Sequence, residues 1–111
     1  MKQIGKEIEI ARNESKQYTN GTITDALVVV DVQYDFIEGT LRIPNGKDLI
    51  PEINKAIMTA YDNGMLILFT RDWHPQDHCS FEGHGGSHTA HCVMGTRGAE
   101  IHPDIHIPDN K

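Results

Sequence analysis

Two short apolar runs flank a segment of helical periodicity in the middle of the chain. Residues 26–32 are apolar except for Asp31 and rich in β-branched side chains, and the run is too short for a buried helix, so it predicts a strand. Residues 65–69 form a second run, of the kind that is buried on both faces of a parallel sheet. Between them, residues 47–63 repeat apolar side chains at helical spacing, which predicts a helix. The repeating positions are Leu49, Ile50, Ile53, Ile57, Ala60 and Tyr61.

The predicted helix carries a signal at each end. Asp48 is a candidate N-cap, and Pro51 falls in the first turn, where a missing N–H leaves no hydrogen bond unmade. Gly64 follows the last turn, where the left-handed conformation is common. The order strand, helix, strand indicates a βαβ unit with parallel strands. We therefore predict an α/β fold built on a parallel, Rossmann-like sheet.

The two ends of the chain have weaker patterns. Residues 1–25 fit a helix and a strand about equally, and we interpret them as an arm packed on the surface of a domain that spans 26–111. Residues 33–46 predict a loop, and glycine and proline break up residues 75–111. Two parallel strands and one helix are too little for a stable domain. We therefore expect the N-terminal portion of a larger fold, which self-associates or binds a complementing C-terminal chain.

Composition narrows the classes of partner. The chain has 111 residues, enough for one small domain, and its net charge of -6 argues against nucleic acid and anionic membranes. No apolar run approaches the roughly 20 residues that span a bilayer, and the N-terminus is polar. We therefore expect a cytoplasmic protein. In that compartment Cys79 and Cys92 are expected to remain thiols, and neither occupies a position typical of a nucleophile.

Polar residues follow both predicted strands. Asp31 ends the first, and Asp72 and His74 end the second, so parallel pairing brings all three to one edge of the sheet. Asp72 and His74 are two residues apart and face the same way if the backbone is extended, which gives half of a divalent metal site. The spacing alone leaves a structural aspartate and solvated histidines equally open. The candidates for a third ligand are His78, His84, His88 and His91.

Three further residues lie near this predicted crevice. Asp31 is a candidate general base, although a carboxylate that accepts backbone hydrogen bonds in the following loop is the more common role. Phe36 and Trp73 flank the crevice, where they serve either as core residues or as surfaces for a substrate ring.

Three stretches carry a resemblance to a known family. Residues 28–39 read VVVDVQYDFIEG and resemble the opening signature of the isochorismatase-like cysteine hydrolases. Residues 70–81 read TRDWHPQDHCSF, and residues 91–103 read HCVMGTRGAEIHP. The latter two resemble the nicotinamidase (pyrazinamidase) branch, and the likeness covers residues 26–103.

The resemblance implies a parallel sheet with helices on both faces and the hydrolysis of a small amide, nicotinamide, to nicotinate and ammonia. It implies that Asp31 takes the proton from a cysteine nucleophile. It also implies that Asp72, His74 and His91 bind one divalent ion, Zn, Fe or Mn, with His78 as an additional ligand. The isochorismatase branch lacks this metal set.

The resemblance also identifies a substrate-binding set and its departures. Phe36 matches an aromatic residue that packs on the substrate ring, and we add Trp73 and His88, the latter standing where the family usually has tryptophan. The family's lysine and nucleophilic cysteine are expected beyond Lys111, and Cys92 is not that nucleophile. We therefore expect no activity from the chain alone. The alternatives are a non-catalytic metal-binding fragment, half of a two-chain assembly, or another isochorismatase-like hydrolase.

Overall fold

A computed structural model of the chain describes residues 6–11 and 25–108. Three strands form one sheet in the order β1-β3-β2, and their bounds are Lys6–Ala11 for β1, Ala26–Val30 for β2 and Leu66–Asp72 for β3. Within the two described ranges the chain also forms two α-helices, α1 (Tyr34–Ile37) and α2 (Ile50–Asp62), and two 3₁₀ turns, Gly46–Leu49 and Arg97–Ala99. Among the described residues, no helix is long and apolar enough to cross a membrane.

The predicted βαβ unit is confirmed. β2 pairs in parallel with β3, with Leu27 opposite Ile67 and Val29 opposite Phe69, and α2 connects the two strands. The buried core lies between this face of the sheet and α2, where Ile57 and Ala60 are 0% and 3% exposed. The carboxyl ends of β2 and β3 therefore meet at one edge, as parallel pairing requires.

The other face of β2 is not covered by the described residues. Val28 and Val30 are 49% and 61% exposed, whereas Val29 between them is buried. β3 likewise alternates between buried and half-buried positions. The expectation that residues 65–69 are buried on both faces is therefore met on one face only, because among the described residues α2 packs on one face of the sheet.

β1 lies on the far side of β3. It runs antiparallel to β3, with Lys6 opposite Asp72 and Ala11 opposite Ile67. The sequence left helix and strand open for this segment, and the structure shows a strand that belongs to the sheet instead of an arm on its surface. Pairing with β1 also extends β3 to Asp72, three residues beyond the predicted apolar run. The predicted domain boundary at residue 25 stays a prediction, and residues 1–5 and 12–24 lie outside the described part.

Two local predictions need correction. Asp48 does not cap α2, because the 3₁₀ turn includes Asp48 and its N–H bonds to the carbonyl of Asn45; Leu49 is the residue before the helix. The loop predicted over 33–46 contains the short helix α1. The other end of α2 was predicted correctly, since Gly64 has φ 73°, a left-handed conformation that costs glycine little.

Residues 75–108 are irregular, as predicted, but they are tied to the segment around α1. The N–H of Tyr34 donates to the carbonyl of Glu100 at 2.9 Å, and the N–H of His102 donates to the carbonyl of Val32 at 3.0 Å. His102 is buried, stacks on Tyr34 and bonds through Nε2 to the Glu38 carboxylate. These contacts hold the segment around residues 100–102 against the turn that follows β2.

The contact between Glu38 and His102 predicts a loss of local stability in acid. The hydrogen bond from His102 lowers the pKa of Glu38 below its ordinary value of 4.5, and Lys47 adds to the shift. A carboxyl group whose pKa is lower in the folded state stabilises the fold fully when the pH is above its pKa in the unfolded state. This stabilisation is lost as the pH falls through its pKa in the folded state. Hydrogen-exchange protection of residues 101–105, corrected for intrinsic rates, should therefore fall below about pH 4.5.

The matched control is Glu38→Gln, which removes the titrating group. The variant should have lower protection at neutral pH and should lack the extra acid-dependent loss. Parallel profiles for the two proteins at every pH would contradict the prediction.

Candidate metal centre

Three potential metal ligands converge at the carboxyl end of β3. Ligand atoms of Asp72, His74 and His91 all lie within 4.8 Å of one another. Asp72 ends β3 and His74 follows two residues later, which brings their side chains together as predicted; Asp72 Oδ2 lies 3.6 Å from His74 Nε2. We call these three residues the triad.

Backbone pairing explains how His91 reaches the other two. The N–H of His74 donates to the carbonyl of Cys92 at 2.9 Å, and the N–H of Met94 donates to the carbonyl of His74 at 2.8 Å. This short parallel bridge, between His74 and Val93, places residues 91–94 beside the end of β3. The position of His91, the third candidate ligand, is therefore fixed by main-chain contacts that no spacing rule reveals.

The two imidazoles of the triad are suited to metal binding. His91 Nδ1 lies 2.7 Å from the carbonyl of Thr89, and since a carbonyl only accepts, the neutral ring has its proton on Nδ1 and its lone pair on Nε2. Burial lowers the pKa of His74, although Asp72 acts in the opposite direction, so the neutral ring is favoured. Metal ions bind the neutral form of histidine.

The donor set also fits a divalent ion in its chemistry. One carboxylate and two imidazoles are a mixed oxygen and nitrogen set that suits Zn, Fe or Mn and leaves positions open. A ligating histidine usually donates its other ring N–H to the protein, and His91 does so. His74 differs, because its buried Nδ1 has no hydrogen-bond partner among the described residues.

His78 lies beside the triad. Its ring centroid is 4.3 Å from that of His74, but His78 does not belong to the group of atoms within 4.8 Å. Its Nδ1 bonds to Ser80, at 2.7 Å from the hydroxyl and 3.2 Å from the backbone nitrogen. Its role as an additional ligand stays a prediction.

A groove of about 340 Å³ lies at the end of β2 and beside α1, and Asp31 and Phe36 line it together with apolar side chains. The ring of Phe36 also lies 5.6 Å from the ring of His91, so it connects the groove to the triad. Asp31 is half-buried at the end of β2, as predicted, and accepts a 2.6 Å hydrogen bond from the Thr70 hydroxyl. Its φ of 55° is uncommon for a residue other than glycine, and such outliers concentrate at functional sites.

The remaining two predicted substrate-binding residues are placed differently. Trp73 lies under the guanidinium of Arg71 at 4.5 Å, between Asp72 and His74 in sequence, and is not among the residues that line the groove. His88 is exposed, with its ring 6.2 Å from that of His91. Substrate binding by Phe36, Trp73 and His88 stays a prediction.

Sequence reasoning missed three residues that support the centre. Phe81 is 1% exposed and packs against the rings of His74 and His91 at 5.7 and 5.3 Å. Gln33 and Asp35 are buried polar residues that bond to the backbone of Asp72 and Cys92. Asp31, Gln33 and Asp35 follow one another at two-residue intervals, which was a visible signal, but a polar turn after a strand has the same appearance.

The two cysteines form no disulfide, as expected. Cys92 is fully buried and Cys79 is exposed. A fully buried thiol cannot reach a substrate without a rearrangement of the surrounding chain. Cys79 lies in the turn between His78 and Ser80, where no helix N-terminus is present to lower a thiol pKa.

Residues 25–111 match the isochorismatase domain. The chain is similar to a nicotinamidase of Acinetobacter baylyi, with 37% identity over 100 residues that cover 75% of this chain and 45% of that protein. The chain therefore spans about half the length of the curated relatives it matches.

Two solved structures resemble the chain. A pyrazinamidase of Pyrococcus horikoshii in complex with zinc superposes with a TM-score of 0.71 at 41% identity, covering 78% of this chain and 48% of that one. A structure from L. infantum in complex with nicotinate gives a TM-score of 0.62 at 36% identity, covering 75% of this chain and 42% of that one. These likenesses confirm the predicted isochorismatase-type α/β fold.

Proposed function

Since the chain belongs to the isochorismatase domain family, we propose that it forms the metal-binding and substrate-orienting part of an amidohydrolase that resembles nicotinamidase. The observation that carries this proposal is the convergence of ligand atoms of Asp72, His74 and His91 within 4.8 Å of one another. Phe36 contacts His91 and lines a groove together with Asp31. Relatives that bind zinc and nicotinate support it.

The substrate proposed is a small aromatic amide such as nicotinamide. Phe36 offers an aromatic face between the groove and His91, and the rest of the groove is lined largely by aliphatic side chains. When bound, a divalent ion would hold the ring nitrogen of the substrate and orient the amide. Asp31 is proposed to take the proton from the attacking thiol, and the Thr70 hydroxyl holds its carboxylate in place.

The thiol itself is proposed to come from outside these 111 residues. Cys92 is fully buried and Cys79 lies in an exposed turn. A complementing C-terminal chain would then supply the rest of the site. A second candidate function, metal binding without hydrolysis, is favoured by the same placement of the two cysteines. The triad argues against an isochorismatase without metal.

A cytoplasmic location and a small-molecule partner complete the proposal. The net charge of -6 supports the prediction that neither nucleic acid nor an anionic membrane is the partner. These statements rest on composition and stay predictions.

The metal proposal predicts retention of close to one Zn, Fe or Mn ion per chain after extensive dialysis. Replacing His74 or His91 with alanine should abolish retention, because each removes one of the three ligands proposed for the triad. Replacing His78 should weaken retention less, since its Nδ1 already bonds to Ser80 and it lies outside the triad. Elemental analysis of the purified proteins measures the stoichiometry.

The matched control is His84→Ala, which removes an exposed histidine of the same loop region that does not belong to the triad. This variant should retain metal like the unmodified chain. A wild-type chain that contains no metal after purification and also binds none when Zn²⁺, Fe²⁺ or Mn²⁺ is added would refute the metal proposal.

A further inference from the structure

Two buried polar side chains near the triad have no part in the proposed chemistry. Gln33 directly precedes α1 and Asp35 lies in its first turn, and they are 0% and 8% exposed. Buried amides and carboxylates destabilise a fold unless hydrogen bonds compensate them. Each of these two bonds to the backbone of a different triad segment.

Gln33 bonds to both sides of the peptide backbone at Asp72. Its Oε1 accepts from the N–H of Asp72 at 2.8 Å, and its Nε2 donates to the carbonyl of Asp72 at 2.8 Å. Nε2 also donates to the carbonyl of Ala99 at 2.8 Å. β2 has already ended, with Val30 opposite Thr70, so the side chain of Gln33 takes the place of the next strand residue beside Asp72.

Asp35 bonds to the backbone just after His91. Its Oδ2 accepts from the N–H of Cys92 at 2.8 Å, and its Oδ1 accepts from the N–H of Thr40 at 3.3 Å. Cys92 has φ 49°, a left-handed conformation that costs energy in a residue other than glycine. A hydrogen bond to a buried carboxylate is among the stronger kinds and can hold such a conformation.

The surroundings of Asp35 are shaped for its carboxylate. A Cβ at Gly39 or at Gly98 would overlap the carboxyl group of Asp35, so both positions need glycine. The Thr40 hydroxyl donates to the carbonyl of Ala90 at 2.7 Å. The residues on both sides of His91 are therefore tied to the turn around α1.

The geometry points to Gln33 and Asp35 as positioning residues that hold Asp72 and His91 at the separation a divalent ion needs. The inference rests on the proposed metal function. Neither side chain is proposed to bind the ion itself. Each acts through the backbone at or next to a candidate ligand. Groups that orient metal ligands typically contribute about 10- to 100-fold to metal affinity.

The test measures the Co²⁺ dissociation constant and the visible Co²⁺ spectrum of the 111-residue chain and its variants. Gln33→Met and Asp35→Ala remove the backbone hydrogen bonds, and both should weaken Co²⁺ binding by about 10- to 100-fold and change the spectrum. The matched control is Asn54→Ala. Asn54 makes the same kind of contact, donating to the carbonyl of Asp104 at 2.9 Å and accepting from the N–H of His106 at 2.7 Å. This variant should lose stability but keep its Co²⁺ affinity.

Conservative substitutions distinguish an effect on the geometry of the metal site from an effect on folding. Asp35→Asn keeps an acceptor for the N–H of Cys92 and should recover most of the affinity and the wild-type spectrum. Gln33→Glu loses both donated hydrogen bonds and places a carboxylate against two carbonyls, so it should not recover. This pair decides the question even where Asp35→Ala fails to fold.

The possible outcomes are distinct. A wild-type chain that binds no Co²⁺ refutes the metal function and this inference together. A wild-type chain that binds Co²⁺, with Gln33→Met, Gln33→Glu and the Asp35 variants equal to it, refutes only the inference. Weakened binding in Asn54→Ala of the same size as in Gln33→Met would also refute it, because the effect would then be general destabilisation.

Discussion

The 111-residue chain alone should release no measurable ammonia from nicotinamide. Asp31 lies in the groove with a hydroxyl partner, Thr70, while Cys92 is buried and Cys79 is in an exposed turn. Loss of a nucleophile lowers turnover by about 10⁴- to 10⁶-fold, since binding and polarisation alone remain. Metal and ring binding can persist, so weak binding of nicotinate is compatible with this result.

Mixing the chain with a C-terminal half from a related nicotinamidase should restore ammonia release. Asp31→Asn, which keeps an acceptor for the Thr70 hydroxyl but cannot take a proton, should abolish the restored activity. Asp62→Ala is the control, because Asp62 is exposed at the end of α2. Robust turnover by the chain alone would overturn the proposal and return Cys79 and Cys92 to consideration as nucleophiles.

The uncovered face of β2 should make the chain associate in solution. Val28 and Val30 place exposed β-branched side chains side by side on a strand whose second edge has no described partner. Exposed apolar surface next to an open strand edge favours self-association or binding of a complementing chain. Sedimentation velocity at micromolar concentration should therefore show assemblies, and a dye that binds apolar surface should report exposure.

The double variant Val28→Thr and Val30→Thr should shift the chain towards monomer, because threonine keeps the β-branched shape and removes apolar surface. Val29→Thr is the matched control, since Val29 faces the core and its replacement should destabilise the fold without reducing association. A clean monomer of the unmodified chain with a sharp, cooperative melt would show that this architectural prediction is wrong.

The βαβ unit could be predicted from the sequence because its signals are local. The apolar runs and the helical periodicity over 47–63 follow from contacts within each element, and Gly64 marks the end of α2. Parallel pairing then required Asp31 and Asp72 to share an edge, and the two-residue spacing placed His74 beside Asp72. The structure shows this arrangement.

The rest depends on contacts that are distant in sequence. β1 is a strand only because β3 pairs with it, and the same pairing extends β3 to Asp72. His91 was assigned through family resemblance, and the structure brings it to the triad through a bridge between His74 and Val93. Asp48 had the composition of a cap but lies within a 3₁₀ turn. A tertiary contact decided the outcome for β1 and for His91, whereas a local hydrogen bond to Asn45 decided it for Asp48.

The pairing of β1 with β3 also affects where the chain can be shortened. The isochorismatase match begins at residue 25, but β1 occupies one whole side of β3, with Lys6 beside Asp72. A polypeptide that starts at residue 25 would turn β3 into an edge strand. The main chain at Asp72 would then keep its contact with Gln33 on one side and face water on the other. Purification tags and protease sites are therefore better placed before residue 6 than at the start of the family match.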